Sequence, residues 1–456
     1  LIVALILWVT TTLLRFVILS ALVFLVTLSV GCGDSSSGSS SDTPPPPLIF
    51  VPGYGMSSLR VEISHGNSVN TAFNFLLPAM NPVDILPPPA SSAKDYAILS
   101  GLPEDEVVKV HDWLKLDTLE SGQVQNRMGV QVKPVSIGKD FVAECPRYQS
   151  MANKLAAYGW KADDNLFCLP YDYRFPPAST AFVTHLRDLI DTALLDSASS
   201  NVVLACHSQG CLLSYYALRE IDPAWLDEKV LLLFSFAGQF SGCSDCLRWA
   251  FQEEWSWDTD NALASASDQT WAGELALDLQ ESVYGDRVLY TNGNWEYRAD
   301  DVALLLNDAG ALAMLRATNY YRLNDQDWFR LGDVHRKPLT VESRFVYGNG
   351  IPTTVGFDYE EVPARSPECL DPSCAGFSDQ QYPGLIQANG DGGDNAWMNE
   401  APKRWTEDTA CDTRALPGVS HMKIVDNSDA LGLLVNSVRN LQAGQRGCVG
   451  VAPQVR

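Results

Sequence analysis

The stretch Val202 to Leu213, V-V-L-A-C-H-S-Q-G-C-L-L, constrains the fold more than any other part of the chain. Val202 to Ala205 read as a buried strand, an apolar helix-spaced run continues to Leu218, and Ser208 stands at the junction. A strand that becomes a helix within one residue forces that residue into a sharp turn with its side chain outward, the arrangement of a serine nucleophile. Small residues two places to either side let strand and helix pass closely. Gly210 meets this on the far side, whereas Cys206 stands where glycine is usual. Five residues of this kind also fit a polar turn after a core strand. Context favours the nucleophile: the strand before it, the helix after it, and His207 directly ahead of the serine.

From Leu48 onward the pattern is α/β. Leu48 to Val51 forms a short apolar run that enters Pro52-Gly53-Tyr54-Gly55, and Val230 to Phe236 and Arg344 to Tyr347 are later strands of the same kind. Ser150–Tyr158, Ala181–Leu195, Asp301–Leu315 and Ala430–Leu441 carry apolar residues at helical spacing. Strands separated by helices imply a mostly parallel sheet, whose sites gather at the carboxyl ends of the strands. The length of 456 residues, 46% hydrophobic, suffices for one large α/β domain with insertions or for two ordinary domains.

A formal net charge of -23 disfavours nucleic-acid binding and an electrostatic grip on anionic lipid, so any membrane contact should be apolar. The amino-terminal segment bears on this. Phe16 to Val30 is apolar apart from Ser and Thr, follows Arg15, and ends in Leu28-Ser29-Val30-Gly31-Cys32. Residues 1–32 read as an export signal starting near Leu14, with Cys32 the acylated first residue of a bacterial lipoprotein at the outer membrane or cell surface. Ser29 departs from the aliphatic residue usual three places before such a cysteine. An uncleaved transmembrane anchor is the alternative, since the run is long enough to span. Either way the domain is held outside the cytoplasm. Residues 33–47, rich in Ser, Gly and Pro, form a tether.

Apart from Cys32 there are ten cysteines, an even number that suggests disulfides in an exported chain without fixing their pairing. Cys243-Ser244-Asp245-Cys246 could be half of a redox or zinc site. No second half follows at metal spacing, so a local bridge is the better reading. No metal or cofactor is expected.

Serine acyl chemistry creates an oxyanion that needs two preorganised N–H donors. One comes from the residue after the nucleophile, Gln209, and one from the loop after an early strand, where Tyr54 or Gly55 is placed to give it. The base and its orienting acid should follow in the order Ser, Asp or Glu, His. His335 lies between Asp333 and Arg336 in a charged stretch and reads as surface. His421 lies in a loop before the last amphipathic helix, the expected place for the base. Upstream, Asn389-Gly390-Asp391-Gly392-Gly393-Asp394-Asn395-Ala396-Trp397 offers a turn with two candidate aspartates. Spaced carboxylates also suggest a calcium loop, but the glutamate that closes such loops is missing.

With these residues placed, the chain resembles the lecithin:cholesterol acyltransferase family. Leu48 to Gly55 resembles its strand and oxyanion turn, Arg127-Met128-Gly129-Val130-Gln131-Val132 its segment ahead of the first cap helices, and Tyr171-Asp172-Tyr173-Arg174 its Y-D-W-R signature. Asn294 to Asp301 resembles a late cap motif, and Val346 to Thr353 a strand ending in G-x-G-x-P-T. The motifs run in family order from Leu48 to about Leu441. Three departures stand out. Cys206 replaces the elbow glycine, Phe236 to Gly242 lacks the family's G-A-P-x-G-G turn, and the G-D-G-T-V around the acid is disturbed. Asp391 keeps the G-D-G, while Asp394 keeps an apolar residue, Trp397, three places on; Asp394 is narrowly favoured, with Asp391 the alternative.

The resemblance implies an α/β-hydrolase fold over residues 48–456 with cap insertions near 66–140 and 238–300, and a triad of Ser208, Asp394 and His421 with Gly55 and Gln209 as oxyanion donors. It implies a lipid acyl hydrolase or O-acyltransferase that acts on phospholipid or related fatty acyl esters at a membrane surface, with water, an alcohol or a sterol as acceptor. A triacylglycerol lipase or carboxylesterase, and a catalytically silent cell-surface binding protein, are the competing readings. The cap tryptophans Trp113, Trp249, Trp255, Trp257 and Trp271 face lipid or pack the cap's own core.

Overall fold

Six short runs, poor in charge and rich in β-branched and aromatic residues, pair side by side into one parallel sheet. In the computed structural model they are β1 (Leu48–Val51), β2 (Leu166–Cys168), β3 (Val202–His207), β4 (Val230–Phe236), β5 (Ser343–Asn349) and β6 (Thr413–Pro417). The sheet order is β6-β5-β4-β3-β1-β2, parallel at every pairing. Every residue of β1, β2 and β3 is buried, as expected of strands covered on both faces. The edge strand β6 alternates between more and less exposed positions. The structure describes residues 44–64, 72–77, 114–176, 181–250, 270–273, 279–293, 295–324, 340–359, 384–404 and 413–445.

Alternate strand residues feed two separate cores. Val202, Leu204 and Cys206 pack with helices α2 (Phe182–Ser197) and α3 (Gln209–Glu220). Val203 and Ala205 pack on the other face with α1 (Gln149–Ala156) and α4 (Ser428–Gln442). The result is a helix–sheet–helix sandwich, and four elements read from the sequence at these places, β1, β3, β4 and β5, are present. The helix expected over Asp301–Leu315 is two, Val302–Asp308 and Leu312–Asn324, separated where Gly310 takes φ 75°.

Beyond the sheet, Leu59–Ser64 pairs with Ala72–Leu77 and Val130–Pro134, and Leu116–Thr118 with Val124–Asn126. A four-stranded sheet joins Trp295–Tyr297, Tyr290–Asn292, Ile351–Tyr359 and Gly384–Gly390. It matters for the site because Ile351–Tyr359 leaves the end of β5 and its antiparallel partner returns to deliver Asp391 there.

Among the described residues three disulfides are formed, Cys145–Cys168, Cys206–Cys211 and the local bridge Cys243–Cys246. Cys206 thus fills the usual glycine position by directing its sulfur into the first turn of α3. Trp271 is 2% exposed, packs edge-on against Tyr173 and donates to the Leu114 carbonyl, so it is a core residue of the cap. Cys32, the expected export signal and most of the expected tether lie outside the described residues, as do Trp113, Trp255, Trp257, Cys369, Cys374, Cys411, Cys448 and His335, together with the side chain of Trp249. Among the described residues no helix is long and apolar enough to cross a membrane.

Candidate active site

The carboxyl ends of β1, β3, β4, β5 and β6 open into the loops that carry all the described candidate residues. Ser208 closes β3 with φ 54° and ψ -132°, a left-handed conformation that a residue with a side chain adopts only when its surroundings enforce it. The enforcement is close packing. A Cβ added to Gly210 would overlap the carbonyl oxygens of Pro52 and Val51, so only glycine lets α3 cross the end of β1 here. The Cys206–Cys211 bond ties the last turn of β3 to the first turn of α3, bracketing the serine.

Ser208 is only 6% exposed, less open than an outward-facing elbow suggests. The turn after β4 reaches over it: Gln239 N–H donates to the Ser208 carbonyl at 3.4 Å. This is the segment that lacks the G-A-P-x-G-G pattern, and Ala237 within it takes φ 46°.

The candidate oxyanion donors lie on the first turn of α3 and in the turn after β1. Gln209 is the first residue of α3, and the amide at that position has no intrahelical acceptor. Its side chain is pinned on both atoms: Nε2 donates to the Gly273 carbonyl at 2.8 Å, and the Tyr171 hydroxyl donates to Oε1 at 3.1 Å. After β1 the chain turns tightly, with Met56 N–H donating to the Gly53 carbonyl and Gly55 at φ 69°. Gly53 N–H is already used, donating to the Tyr148 hydroxyl at 2.9 Å. Tyr54 and Gly55 therefore remain as candidates for the second donor.

His421 follows β6. Its ring Nδ1 lies 3.2 Å from Asp391 Oδ2 and 3.1 Å from Asp394 Oδ2, so the structure brings both candidate acids to the same nitrogen. The bonding differs. Asp391 is fully buried and makes a hydrogen bond with Nδ1; its Oδ1 accepts from the amides of Gly393 and Asp394, and its backbone carbonyl accepts from His421 N–H. Asp394 Oδ1 accepts from Gln239 Nε2 at 2.7 Å, while its Oδ2 makes no hydrogen bond among the described residues.

Electrostatics follow that division. Burial, assisted by the charge of Asp391, pushes the Asp394 carboxyl well above the usual carboxylate range, against the opposing pull of His421 and Gln239. Burial pulls His421 down, but Asp394, Asp391 and the Asp391 hydrogen bond more than offset it and raise the imidazole to about 9. Asp245, pushed to about 7 chiefly by burial, adds a third acid to this neighbourhood. Asp391, Asp394 and His421 are close enough together to hold a cation. Yet one oxygen of Asp391 already faces two amides, which is how a turn carboxylate anchors itself.

Several supporting residues escaped the sequence reading although their motifs were recognised. Arg174, fully buried, binds Asp172 through two nitrogens and also donates to the Leu114 carbonyl and Asn126, so Y-D-Y-R fastens the sheet to the cap. In the G-x-G-x-P-T segment, a Cβ on Gly348 would overlap the Val419 carbonyl beside His421, and Thr353 Oγ1 accepts from Gly392 in the acid turn. Gln239 and Tyr148 carried no signal of their own.

A six-stranded parallel sheet flanked by helices, with a strained serine after a central strand and an acid–histidine pair after later ones, is the α/β-hydrolase fold. The family model for lecithin:cholesterol acyltransferase matches residues 135–252, which include Ser208 but not Asp391, Asp394 or His421. The lysosomal phospholipase A and acyltransferase of Mus musculus is 23% identical over 336 residues, covering 67% of this chain and 72% of the mouse protein. Lecithin-cholesterol acyltransferase-like 1 of Oryza sativa subsp. japonica is 26% identical over 290 residues, 60% of this chain and 61% of the rice protein. A chain in the crystal structure of the Tle4-Tli4 complex aligns over 88% of this chain and 99% of its own, at 12% identity and TM-score 0.49. Over these regions the chain is distantly similar to the lecithin:cholesterol acyltransferase family.

Proposed function

We propose that the protein cleaves fatty acyl esters of phospholipids or related lipids through an acyl-enzyme on Ser208 and passes the acyl group to water or to an alcohol. The observation that carries this reading is the meeting of His421 with buried carboxylates at the strand ends that also present the strained Ser208. The names of the mouse and rice relatives supply the substrate class.

Ser208 Oγ attacks the ester carbonyl as His421 takes its proton. The tetrahedral oxygen gathers negative charge between the amides of Gln209 and of Gly55 or Tyr54. Collapse expels the lysolipid or other alcohol, which receives the proton from His421, and leaves the acyl group on Ser208. Water or an acceptor alcohol then gives a proton to His421 and takes the acyl group, and His421 passes that proton to the departing Ser208 Oγ. We place the orienting role on Asp391, because it makes the hydrogen bond to Nδ1 and is itself fixed by amides. Asp394, preferred narrowly from sequence, is the alternative. Acylation of Cys32 would hold the site beside its lipid through the tether of residues 33–47 and raise the effective substrate concentration.

The test supplies phospholipid vesicles with a long-chain alcohol or sterol and follows free fatty acid and new ester together. New ester beside fatty acid supports transfer to an alcohol as well as to water; fatty acid alone at saturating acceptor reduces the protein to a phospholipase, and cleavage of triacylglycerol or soluble esters but not of phospholipid replaces the proposal with the lipase or carboxylesterase reading.

A further inference from the structure

His207 precedes the nucleophile, and the triad does not use it. Its ring is 1% exposed and lies edge-on to Tyr148, itself fully buried, with centroids 5.7 Å apart. On the other side the ring lies 4.8 Å from that of His421. Both ring nitrogens are engaged: Nδ1 is 2.9 Å from the Tyr148 hydroxyl, and Nε2 is 3.0 Å from the backbone carbonyl of His421.

The directions of these bonds follow from their partners. A carbonyl only accepts, so Nε2 carries a proton and donates. The Tyr148 hydroxyl accepts from Gly53 N–H, and its single proton is left to donate to Nδ1. Burial, together with the neighbouring His421, holds the His207 imidazole well below its usual titration range, so it is neutral and Nδ1 is free to accept. The four groups form one chain with a single sense: Gly53 N–H to Tyr148 O–H, to His207 Nδ1, and from His207 Nε2–H to the His421 carbonyl.

The ends of this chain are informative. Gly53 begins the turn that holds Tyr54 and Gly55, and His421 is the candidate base; they stand on opposite sides of the nucleophile in the sheet, after β1 and β6. Tyr148 is well anchored for such a role. It lies in the short 3₁₀ turn Pro146–Tyr148, which starts beside Cys145, and Cys145 is bonded to Cys168 at the end of β2. Its ring also packs against Phe50 of β1 at 4.5 Å.

We propose that Tyr148 and His207 are positioning residues for acyl transfer: their buried hydrogen-bond chain sets the oxyanion turn and the His421 backbone in register about Ser208. The inference rests on the serine reading above. His207 touches no substrate and moves no proton in the reaction. It acts through the placement of two groups that do, and a small misplacement there lowers turnover without weakening ester binding.

The test compares wild type with Tyr148→Phe, His207→Leu and His207→Gln, using Ser208→Ala as control, and checks each by thermal melting. A glutamine amide reaches close to the Nε2 position and can still donate to the His421 carbonyl. Tyr148→Phe should lower kcat about tenfold, the scale of one buried hydrogen bond, and His207→Leu about 100-fold. KM should change less than twofold in both, and His207→Gln should recover at least tenfold of the leucine loss. Nitrogen-15 NMR of histidine-labelled protein should show His207 protonated on Nε2 and bare on Nδ1. Normal kcat in folded Tyr148→Phe and His207→Leu, a glutamine variant no better than leucine, or a proton on Nδ1 would overturn the proposal. If His207→Leu does not fold, Tyr148→Phe, His207→Gln and the NMR signature decide. Full activity in Ser208→Ala would instead refute the serine reading, so the two failures are distinguishable.

Discussion

The proposed nucleophile, Ser208, and the acid–histidine pair sit at the ends of the same sheet, yet they are built in different ways. Ser208 is fixed by what lies within a few residues of it: β3, α3, Gly210 and the Cys206–Cys211 bond. His421 and its acids come together from distant segments, with Asp391 delivered by an antiparallel excursion beyond β5 and His421 by the loop after β6. The serine side has one solution. On the acid side, two carboxylates reach one imidazole nitrogen within 0.1 Å of the same distance. A locally built group is hard to duplicate, whereas a turn placed by long-range packing can offer two acids to one partner.

The comparison can be broken first at the serine. Ser208→Ala should lower ester cleavage by about 10⁴ to 10⁶, the cost of losing a triad member, while the melting temperature stays near that of wild type. Near-normal turnover would remove the serine side altogether.

The next largest effect separates the two acids. Asp391→Asn should cost about 10⁴ in kcat, the scale on which an imidazole loses its anchoring carboxylate, and Asp394→Asn no more than about tenfold, roughly one hydrogen bond. The opposite ranking would give the orienting role to Asp394.

A smaller effect probes how the distant segments are joined. Gly348→Ala would press a methyl group against the Val419 carbonyl and the Asp391 side chain, so it should misplace the acid side alone. About a 100-fold loss in kcat is expected, because a shift near 1 Å suffices for it, with fluorophosphonate still able to reach Ser208.

The last concerns pH. His421 must be neutral to accept the serine proton, and its surrounding carboxylates favour the protonated form. The acid limb of kcat/KM should therefore lie above the ordinary imidazole range, activity rising with pH. Removing either carboxylate, by Asp391→Asn or Asp394→Asn, lowers the imidazole pKa and should move the limb to lower pH. A limb that stays in place in both variants would mean that neither charge acts on His421.

What could be read from the sequence follows the same division. The runs of β1, β3 and β4 and the amphipathic patterns of α1, α2 and α4 are local signals, and so is the strand-to-helix junction at Ser208. β2, with three residues, and β6, whose T-R-A-L-P mixes polar and apolar positions at a sheet edge, carry too little pattern to stand out. The break at Gly310 lies inside an unbroken helical periodicity, and one glycine at positive φ ends the first helix there. At the site, His421 was marked by its place before the last helix. The choice between Asp391 and Asp394 depends on which oxygen meets Nδ1 and which meets an amide, and neither spacing nor composition encodes that. Tyr148 was invisible for the same reason: its partners, Gly53 and His207, are 95 and 59 residues away.

The central claim is that Ser208, activated by His421, is the nucleophile. Its most direct test is fluorophosphonate labelling of wild type, Ser208→Ala and His421→Ala, read by intact mass and peptide mapping. With Ser208 as nucleophile, one label per chain falls on the peptide containing Ser208, none in Ser208→Ala, and labelling is slow in His421→Ala. Continued release of fatty acid by a protein that takes no label at Ser208 would contradict it.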